Sequence, residues 1–359
     1  MFLTIIIFFI ILGIIVFVHE IGHFYTARKL GIGVEEFGFG FPPRIFGIKK
    51  NGIMYSVNWI PIGGFVKIKG ESGDNNDPDS FISQPAWKRA IVLFAGVFMN
   101  FISACIILSI GFGIGLPSAL EDLPGDAKIR DKKIQIIEVY PNSPAQNAGI
   151  KLGDYLVSFD DNNFTNSNEA INYVYNNQEK NIKVVTNDSK ENKSVEIRPE
   201  SLEGITDKKV LGISMVDTGV VSYPWYKAPL YGFKAGFNLT VAIGDAFFNL
   251  LKGLFRGEGA KDVSGPIGVA VFTGRAVSMG FSYILQFMAL LSINLAIINI
   301  FPFPALDGGR LLFLLIEKIR RKPNNQKIEA IVHNVGFGLL MLLMILVTYK
   351  DILKYVFHK

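Results

Sequence analysis

Long apolar runs alternate with polar and mixed segments along this chain. The first run extends from Met1 to Val18 without a charged residue, and others lie near 87–116, 281–300 and 330–350. A helix of about 20 apolar residues can span the hydrocarbon core of a bilayer. The pattern predicts about four transmembrane helices, at 1–27, 87–116, 281–309 (with a turn at its end) and 330–350.

The segment 31–70 is rich in glycine and alternates apolar with polar residues, which is typical of strands. Asn51-Gly52 suits a two-residue turn and predicts a membrane-associated β-hairpin or small sheet. Two interpretations stay open: an ordinary hairpin, or an exposed strand edge within 53–69 that pairs with an extended peptide. The polar segment 71–86 is predicted to be a loop.

Residues 121–217 have a different composition, being charged, rich in asparagine and only briefly apolar. Short strands are predicted at 134–139, 155–159, 182–185 and 195–197, with a helix over 168–176. We expect this insert, at roughly 90 residues, to be large enough to fold as a domain of α+β class.

The segment 223–278 is ambiguous. Residues 230–255 are apolar enough to cross a membrane, but Lys234, Asp245 and Lys252 interrupt them. A full crossing would invert every later span, and the downstream charges favour the other interpretation. We therefore expect an amphipathic or partly inserted linker.

Basic residues indicate the orientation. Nine Lys and Arg separate the first two spans, and a second basic cluster lies in 310–329, which is predicted to be cytoplasmic. By the positive-inside rule, both termini and the insert lie outside. Lys350, Lys354 and Lys359 are a mild exception at the C-terminus.

Composition agrees with a membrane protein that carries a soluble domain. Of 359 residues, 50% are hydrophobic and 19% charged, and the net charge is +5. The basic excess flanks the apolar runs, so it indicates topology and contact with lipid rather than nucleic-acid binding. The single cysteine, Cys105, excludes an intrachain disulfide.

His19, Glu20 and His23 lie near the end of the first span, and His19 is roughly 13 Å before Arg28 at 1.5 Å per helical residue. Ionisable groups at such depth are costly and are functional candidates. His19 and His23, four residues apart, share a helix face and can bind one zinc ion. Glu20 then lies beside the metal, where it can act as general base toward water. The alternative is a polar helix interface.

Two histidines leave a catalytic zinc site one protein ligand short. Asp307 is the predicted third ligand, because it follows a span that returns to the cytoplasmic half where His19 and His23 lie. Pro302 and Pro304 end that helix, and two glycines after Asp307 permit close backbone approach. The alternative is an ordinary turn.

Two amides of the third span, Asn294 and Asn299, can hydrogen-bond between helices or hold a substrate peptide. We favour the second interpretation.

These motifs resemble the site-2 protease family of intramembrane zinc metalloproteases, in its bacterial RseP-type (regulator of sigma-E protease) branch. The resemblance covers nearly the whole chain. It rests on His19-Glu20-x-x-His23, Asn299-x-x-Pro302-x-x-x-Leu306-Asp307-Gly308, Pro61-Ile62-Gly63-Gly64-Phe65-Val66-Lys67 and Ser264-Gly265-Pro266-Ile267-Gly268. Ser143-Pro144-Ala145-x-x-Ala148-Gly149-Ile150-x-x-Gly153-Asp154 resembles a PDZ domain.

The resemblance implies a polytopic α-helical membrane protein of the bacterial cytoplasmic (inner) membrane, with one extracytoplasmic PDZ domain and its active site toward the cytoplasm. One Zn²⁺ per chain would serve to cut pre-trimmed membrane proteins, such as anti-sigma factors or remnant signal peptides. The PDZ domain would bind or exclude extracytoplasmic parts of substrates. Gly63, Gly64, Asn294, Asn299, Pro302 and Pro304 are candidate substrate-binding residues.

Two features depart from that family. Its better-known bacterial members carry two PDZ domains, whereas this sequence has one. Gly96 is followed by Val97 rather than proline, although Asn100 is kept. Other function classes remain alternatives: a membrane-anchored zincin that cuts soluble or misfolded proteins, or a non-catalytic membrane scaffold.

Cysteine labelling tests the predicted topology. In a chain with Cys105 replaced, single cysteines at Ser222 and Glu258 should react with an impermeant reagent from the same side of the membrane. A cysteine at Asn324 should react from the other side. Labelling of Ser222 and Glu258 from opposite sides would mean that 230–255 crosses.

Overall fold

The computed structural model describes residues 2–71, 77–121, 123–188, 191–202, 206–257 and 264–354. Parts of the predicted loop and linker, 72–76 and 258–263, lie outside the described residues, as does the labelling position Glu258. The chain forms two compact units, one of Met1–Ile110 with Pro229–Lys359 and the other of Gly111–Ala228. In sequence, the second unit is therefore an insert in the first.

Helices and strands are numbered in chain order. The helices of the described residues are α1 (Phe2–Lys29), α2 (Ala86–Ile114), α3 (Pro144–Asn147), α4 (Ser167–Asn176), α5 (Ala228–Phe255), α6 (Pro266–Met279), α7 (Phe281–Ile300), α8 (Asp307–Arg320) and α9 (Gln326–Ile352). The strands are β1 (Val34–Lys50), β2 (Ile53–Ile68), β3 (Leu116–Ala119), β4 (Lys128–Val139), β5 (Tyr155–Phe159), β6 (Ile182–Asn187), β7 (Asn192–Ile197), β8 (Glu200–Leu202), β9 (Thr206–Val210) and β10 (Ile213–Ser222).

By length and composition, four helices of the described part of the chain can cross a membrane: α1, α2, α7 and α9. The 28-residue α5 is not among them, because polar residues such as Lys234 and Asp245 lower its hydropathy. Within the segment 223–278, for which an amphipathic or partly inserted linker was predicted, the structure has α5 and α6. The predicted segment 281–309 is divided, since α7 ends at Ile300 and α8 begins at Asp307. The prolines between them cannot continue a helix.

The first unit also contains a small antiparallel sheet. Residues 34–39 of β1 pair on one side with 54–57 and on the other with 64–68 of β2, while 44–50 pair with 53–58. The four segments therefore lie in the order 44–50, 53–58, 34–39 and 64–68. Asn51 and Gly52 have φ of 51° and 82°, the left-handed values that the predicted turn requires.

This order bears on the exposed strand edge considered within 53–69. Residues 53–58 have a partner strand on each side. Residues 64–68 instead pair with a described strand on one side only, and the Val66 N–H is bonded to Glu20.

The insert contains a sheet of strand order β3-β10-β4-β5-β6-β7. Its core includes Ile136, Phe159, Ile182 and Val184, each fully buried, with α4 contributing Ala170. The structural unit is wider than the predicted 121–217, because β3 precedes that range and β10 continues to Ser222. The pairing of β3 with β10 had no signal in the local sequence, since it joins strands about a hundred residues apart.

Truncation of the insert core tests this packing. Phe159 is fully buried, and its ring lies against those of Phe164 and Tyr173. Phe159→Ala should lower the free energy of unfolding of the insert by about 3–5 kcal/mol. Faster proteolysis within 111–228 of the full-length protein would report this loss. Val157→Ala, on the exposed face of the same strand, is the control and should be digested at the wild-type rate. Equal digestion rates for the two variants would contradict the packing.

Candidate metal centre

His19 and His23 lie one turn apart on the same face of α1, as their spacing predicts. Their Nε2 atoms are 3.1 Å apart, and both residues are 6% exposed. Asp307 meets them from the start of α8. Its Oδ2 lies 3.0 Å from His19 Nε2 and 3.3 Å from His23 Nε2. The structure thus brings together the three residues that the sequence singled out as metal ligands.

The approach of Asp307 depends on a tight turn between α7 and α8. A Cβ at Gly308 would lie only 2.2 Å from the carbonyl oxygen of Ile300, so any larger residue would push α8 away from α7. Ala305, two residues before Asp307, adopts a left-handed conformation with φ of 76°. Asp307 lies in the first turn of α8, where a carboxylate is favoured by the helix dipole.

Two ion pairs hold α8 in place. Arg89 of α2 pairs with Glu317, with Nη1 donating to Oε2 at 3.3 Å and a second, shorter bond beside it. Arg310, one turn after Asp307, pairs with Glu71 at the end of the β segment. A two-point guanidinium–carboxylate pair restricts orientation as well as distance. The helix that supplies Asp307 is therefore fixed to both α2 and the β segment.

The imidazole of His23 is oriented by the backbone of α2. Its Nδ1 lies 2.8 Å from the carbonyl oxygen of Val92, which can only accept. Nδ1 must therefore carry the proton, and Nε2 presents a lone pair to the ligand cluster. Such an arrangement is the usual outer support of a metal-binding histidine.

Asn100 plays the same part for His19. It is fully buried, and its side-chain amide contacts His19 Nδ1 at 3.3 Å, while Oδ1 has no hydrogen-bond partner among the described residues. A half-turn of this amide would place Oδ1 against Nδ1, as an acceptor for a proton on that nitrogen. His19 then donates from Nδ1 and keeps a lone pair on Nε2.

Glu20 lies beside the cluster rather than within it. Its Oε2 accepts a hydrogen bond of 3.0 Å from the backbone N–H of Val66 in β2. That N–H belongs to the strand segment 64–68, so the sheet restrains the carboxylate of this α1 residue. One oxygen is thereby fixed, and the orientation of the other follows from it.

The donor set fits zinc. The ligand atoms of His19, His23 and Asp307 all lie within 4.8 Å of one another. Two imidazole nitrogens and one carboxylate oxygen are ligands that zinc accepts, and three protein ligands leave a coordination position open, as in catalytic sites.

The predicted substrate-binding residues divide into two groups. Gly63 and Gly64 are buried against α1, and a Cβ at Gly64 would lie 3.9 Å from Glu20 Cγ. Asn294 instead donates to the carbonyl oxygen of Leu290 in its own helix, at 2.9 Å.

The other three lie at or after the end of α7. Asn299 and Pro304 are half-buried, and Pro302 is exposed. None of the described hydrogen bonds of Asn294 and Asn299 joins them to the three ligand atoms.

Sequence reasoning missed several neighbours of the cluster. A Cβ at Gly96 would lie 2.3 Å from His23 Nε2, so this glycine makes room for the imidazoles. Val92 and Val66 contribute only backbone groups, which leave no residue-type signal. His333 accepts a hydrogen bond from the Ala305 N–H, in the turn before Asp307, and this contact depends on where α9 lies.

Comparisons with known proteins agree with this geometry. The sequence model of Peptidase family M50 matches residues 7–343 of this chain. A Clostridium perfringens protein that bears a zinc-metalloprotease name is 36% identical, with 94% of this chain and 95% of that protein covered. The regulator of sigma-W protease RasP of Bacillus subtilis is 31% identical, with 97% and 98% covered. The zinc metalloprotease RasP of Geobacillus kaustophilus is 29% identical, with 98% of each covered.

Among solved structures, the PDZ domain of an SdrC-like protein from Listeria monocytogenes is similar to 24% of this chain and 92% of that one. The identity is 20% and the TM-score 0.22, a likeness too low to assign a fold.

Enlarging Gly96 tests the ligand cluster. Gly96→Ala places a methyl group against His23 Nε2 and His19 Cε1, and should therefore weaken zinc retention about tenfold, the lower range for disturbed metal sites. Gly113→Ala is the matched control, because a Cβ there meets no described atom within 4 Å in the same helix. Zinc per chain after dialysis against a chelator is the measurement. Equal zinc content in both variants would contradict the predicted cluster.

Proposed function

The chain is a zinc metalloprotease of peptidase family M50, and we propose that it hydrolyses peptide bonds within or near the transmembrane segments of other membrane proteins. One observation carries this proposal. The ligand cluster is buried between helices that include α1, α2 and α7, which are long and apolar enough to cross a membrane. A protease centre at such a depth meets peptide bonds of membrane-embedded chains first.

His19, His23 and Asp307 would hold one zinc ion per chain. When bound, zinc supplies a Lewis acid that polarises the scissile carbonyl and lowers the pKa of a water molecule. The protein orients the two imidazole rings for this chemistry: Val92 contacts His23, and Asn100 contacts His19.

Glu20 would move the proton. A general base must lie within hydrogen-bond reach of the group it deprotonates. Glu20 is adjacent in sequence to His19, and the Val66 N–H fixes one of its oxygens, which supports this assignment. Having taken a proton from water, the carboxylic acid can deliver it to the leaving amine.

Substrate must reach this centre in extended form, because a helix hides its peptide bonds within its own hydrogen bonds. The edge 64–68 is the best candidate to hold it, since its Val66 already contacts Glu20. Gly63 and Gly64 come just before Val66, and their lack of side chains lets this part of β2 lie close to α1, where a Cβ at Gly63 would meet Val16 at 2.7 Å. Asn294, Asn299, Pro302 and Pro304 remain proposed contacts for the same peptide.

The proposed location is the bacterial inner membrane, with the site toward the cytoplasm and both termini and the insert outside. The basic residues that flank the spans support this orientation. Proposed substrates are membrane proteins already trimmed by another protease, of the anti-sigma-factor or remnant-signal-peptide type. The name of the Bacillus subtilis relative, a regulator of sigma-W protease, supports the first type.

We propose that the insert is a PDZ domain that binds new C-termini or excludes untrimmed proteins. Ser143 caps α3 by accepting from the Gln146 N–H, and Asp154 leads directly into β5, as the sequence motif would require.

Replacement of the general base tests the mechanism. Glu20→Gln should abolish cleavage of a single-span model substrate in proteoliposomes, because an amide cannot take up the proton. Zinc content should stay at the wild-type level, since Glu20 is not a ligand. Asp307→Ala should lose both activity and zinc.

Glu196→Gln, in an exposed position of β7, serves as the matched control and should retain activity. Mass spectrometry of the products locates the cut. Cleavage only outside the span of the substrate would favour a membrane-anchored protease of soluble segments, and full activity of Glu20→Gln would exclude its role as base.

A further inference from the structure

The turn that presents Asp307 is held by a helix that contributes no ligand. The backbone N–H of Ala305 donates a hydrogen bond of 2.9 Å to His333 Nδ1 in α9. Ala305 has the left-handed conformation noted above, which an alanine rarely adopts without external support. The hydrogen bond from α9 supplies that support two residues before Asp307.

A second contact on the same face of α9 strengthens the first. Gly336, three residues after His333, is buried, and a Cβ added to it would lie 2.3 Å from Pro304 Cβ and 2.8 Å from the Pro304 carbonyl oxygen. The turn therefore rests directly on the backbone of α9. His333 and Gly336 together define both the distance and the direction of the Pro304-Ala305 segment.

These contacts are not part of a broad interface. Along the described length of α9, the only buried residues are Gly336 and Asp351. Asp351 accepts a hydrogen bond of 2.7 Å from the Gly268 N–H at the start of α6. α9 is thus anchored at its far end on the Ser264–Gly268 motif, and near its start it contacts the turn.

The chemistry of His333 suits this role. A nitrogen that accepts a hydrogen bond carries no proton, so the neutral ring has its proton on Nε2. Nε2 is buried without a partner among the described residues. His333 lines a cavity of about 400 Å³ together with Arg310 and Glu329. The ring is therefore an acceptor toward Ala305, and substitution by an apolar residue would leave the Ala305 N–H unsatisfied.

We propose that α9 is a positioning element of the zinc site, in which His333 and Gly336 set the placement of Asp307 relative to His19 and His23. The inference rests on the proposed role of these three residues as zinc ligands. His333 touches neither metal nor substrate. It acts through the Ala305 backbone, and it is a positioning residue.

Two matched pairs of variants of the full-length protein test this. His333→Leu removes the acceptor, whereas His333→Asn offers its Oδ1 near the place of Nδ1. Gly336→Ala drives a methyl group into Pro304, whereas Gly338→Ala, on the same helix, meets no described atom within 4 Å. Both alanines favour the helix, so only the contact with the turn differs within that pair.

The readouts are zinc affinity, by competition with a chromophoric chelator, and the visible spectrum of the Co²⁺-substituted protein, which reports ligand geometry independently of activity. His333→Leu and Gly336→Ala should bind zinc about tenfold more weakly or worse and show altered cobalt bands, as for lost outer-shell support. His333→Asn and Gly338→Ala should remain near the wild type in both measurements.

Wild-type affinity and an unchanged cobalt spectrum in both His333→Leu and Gly336→Ala would overturn the inference. Equal defects in His333→Leu and His333→Asn would also overturn the acceptor role. Failure of the proposed function is distinguishable, because wild-type protein would then bind zinc no better than His19→Ala. Retained helix content by circular dichroism separates a displaced turn from an unfolded chain.

Discussion

Three polar side chains that meet at one point inside an apolar bundle impose the strongest constraint on this structure. A buried polar group costs free energy unless a hydrogen bond or a metal compensates it. His19, His23 and Asp307 therefore each need support from elsewhere in the chain. The carbonyl oxygen of Val92 supports His23, and Asn100 supports His19. α2 is thus required as much by the polar chemistry of the site as by its apolar surface.

The position of Asp307 is the less secure side of the cluster, because it follows a turn rather than a continuous helix. Several parts of the chain restrict that turn. Gly308 allows α8 to start against the end of α7, the Arg89–Glu317 and Arg310–Glu71 pairs fix α8, and α9 supports Ala305. Several independent contacts therefore keep Asp307 beside the two imidazoles.

Local patterns carried the parts of the fold and site that depend on short spacing. The i, i+4 histidines lie on one helix face as expected, the Asn51-Gly52 hairpin is present, and Asp307 does approach both imidazoles. What the sequence lacked was information about partners distant along the chain.

The role of Gly96 depends on how closely α2 approaches α1, and the role of His333 depends on where α9 lies. Neither helix position can be recognised from the residues around these two sites. The division of β1 and β2 into four paired segments was missed for the same reason, since one strand pairs with two parts of another.

The pairing of β3 with β10 has a consequence beyond the sheet itself. Leu116 lies opposite Val221, so the chain enters and leaves the insert at neighbouring points. A domain whose ends lie side by side can be exchanged, duplicated or removed in evolution while the flanking chain keeps the same separation. The unit that holds His19, His23 and Asp307 and the inserted unit can then diverge independently of each other.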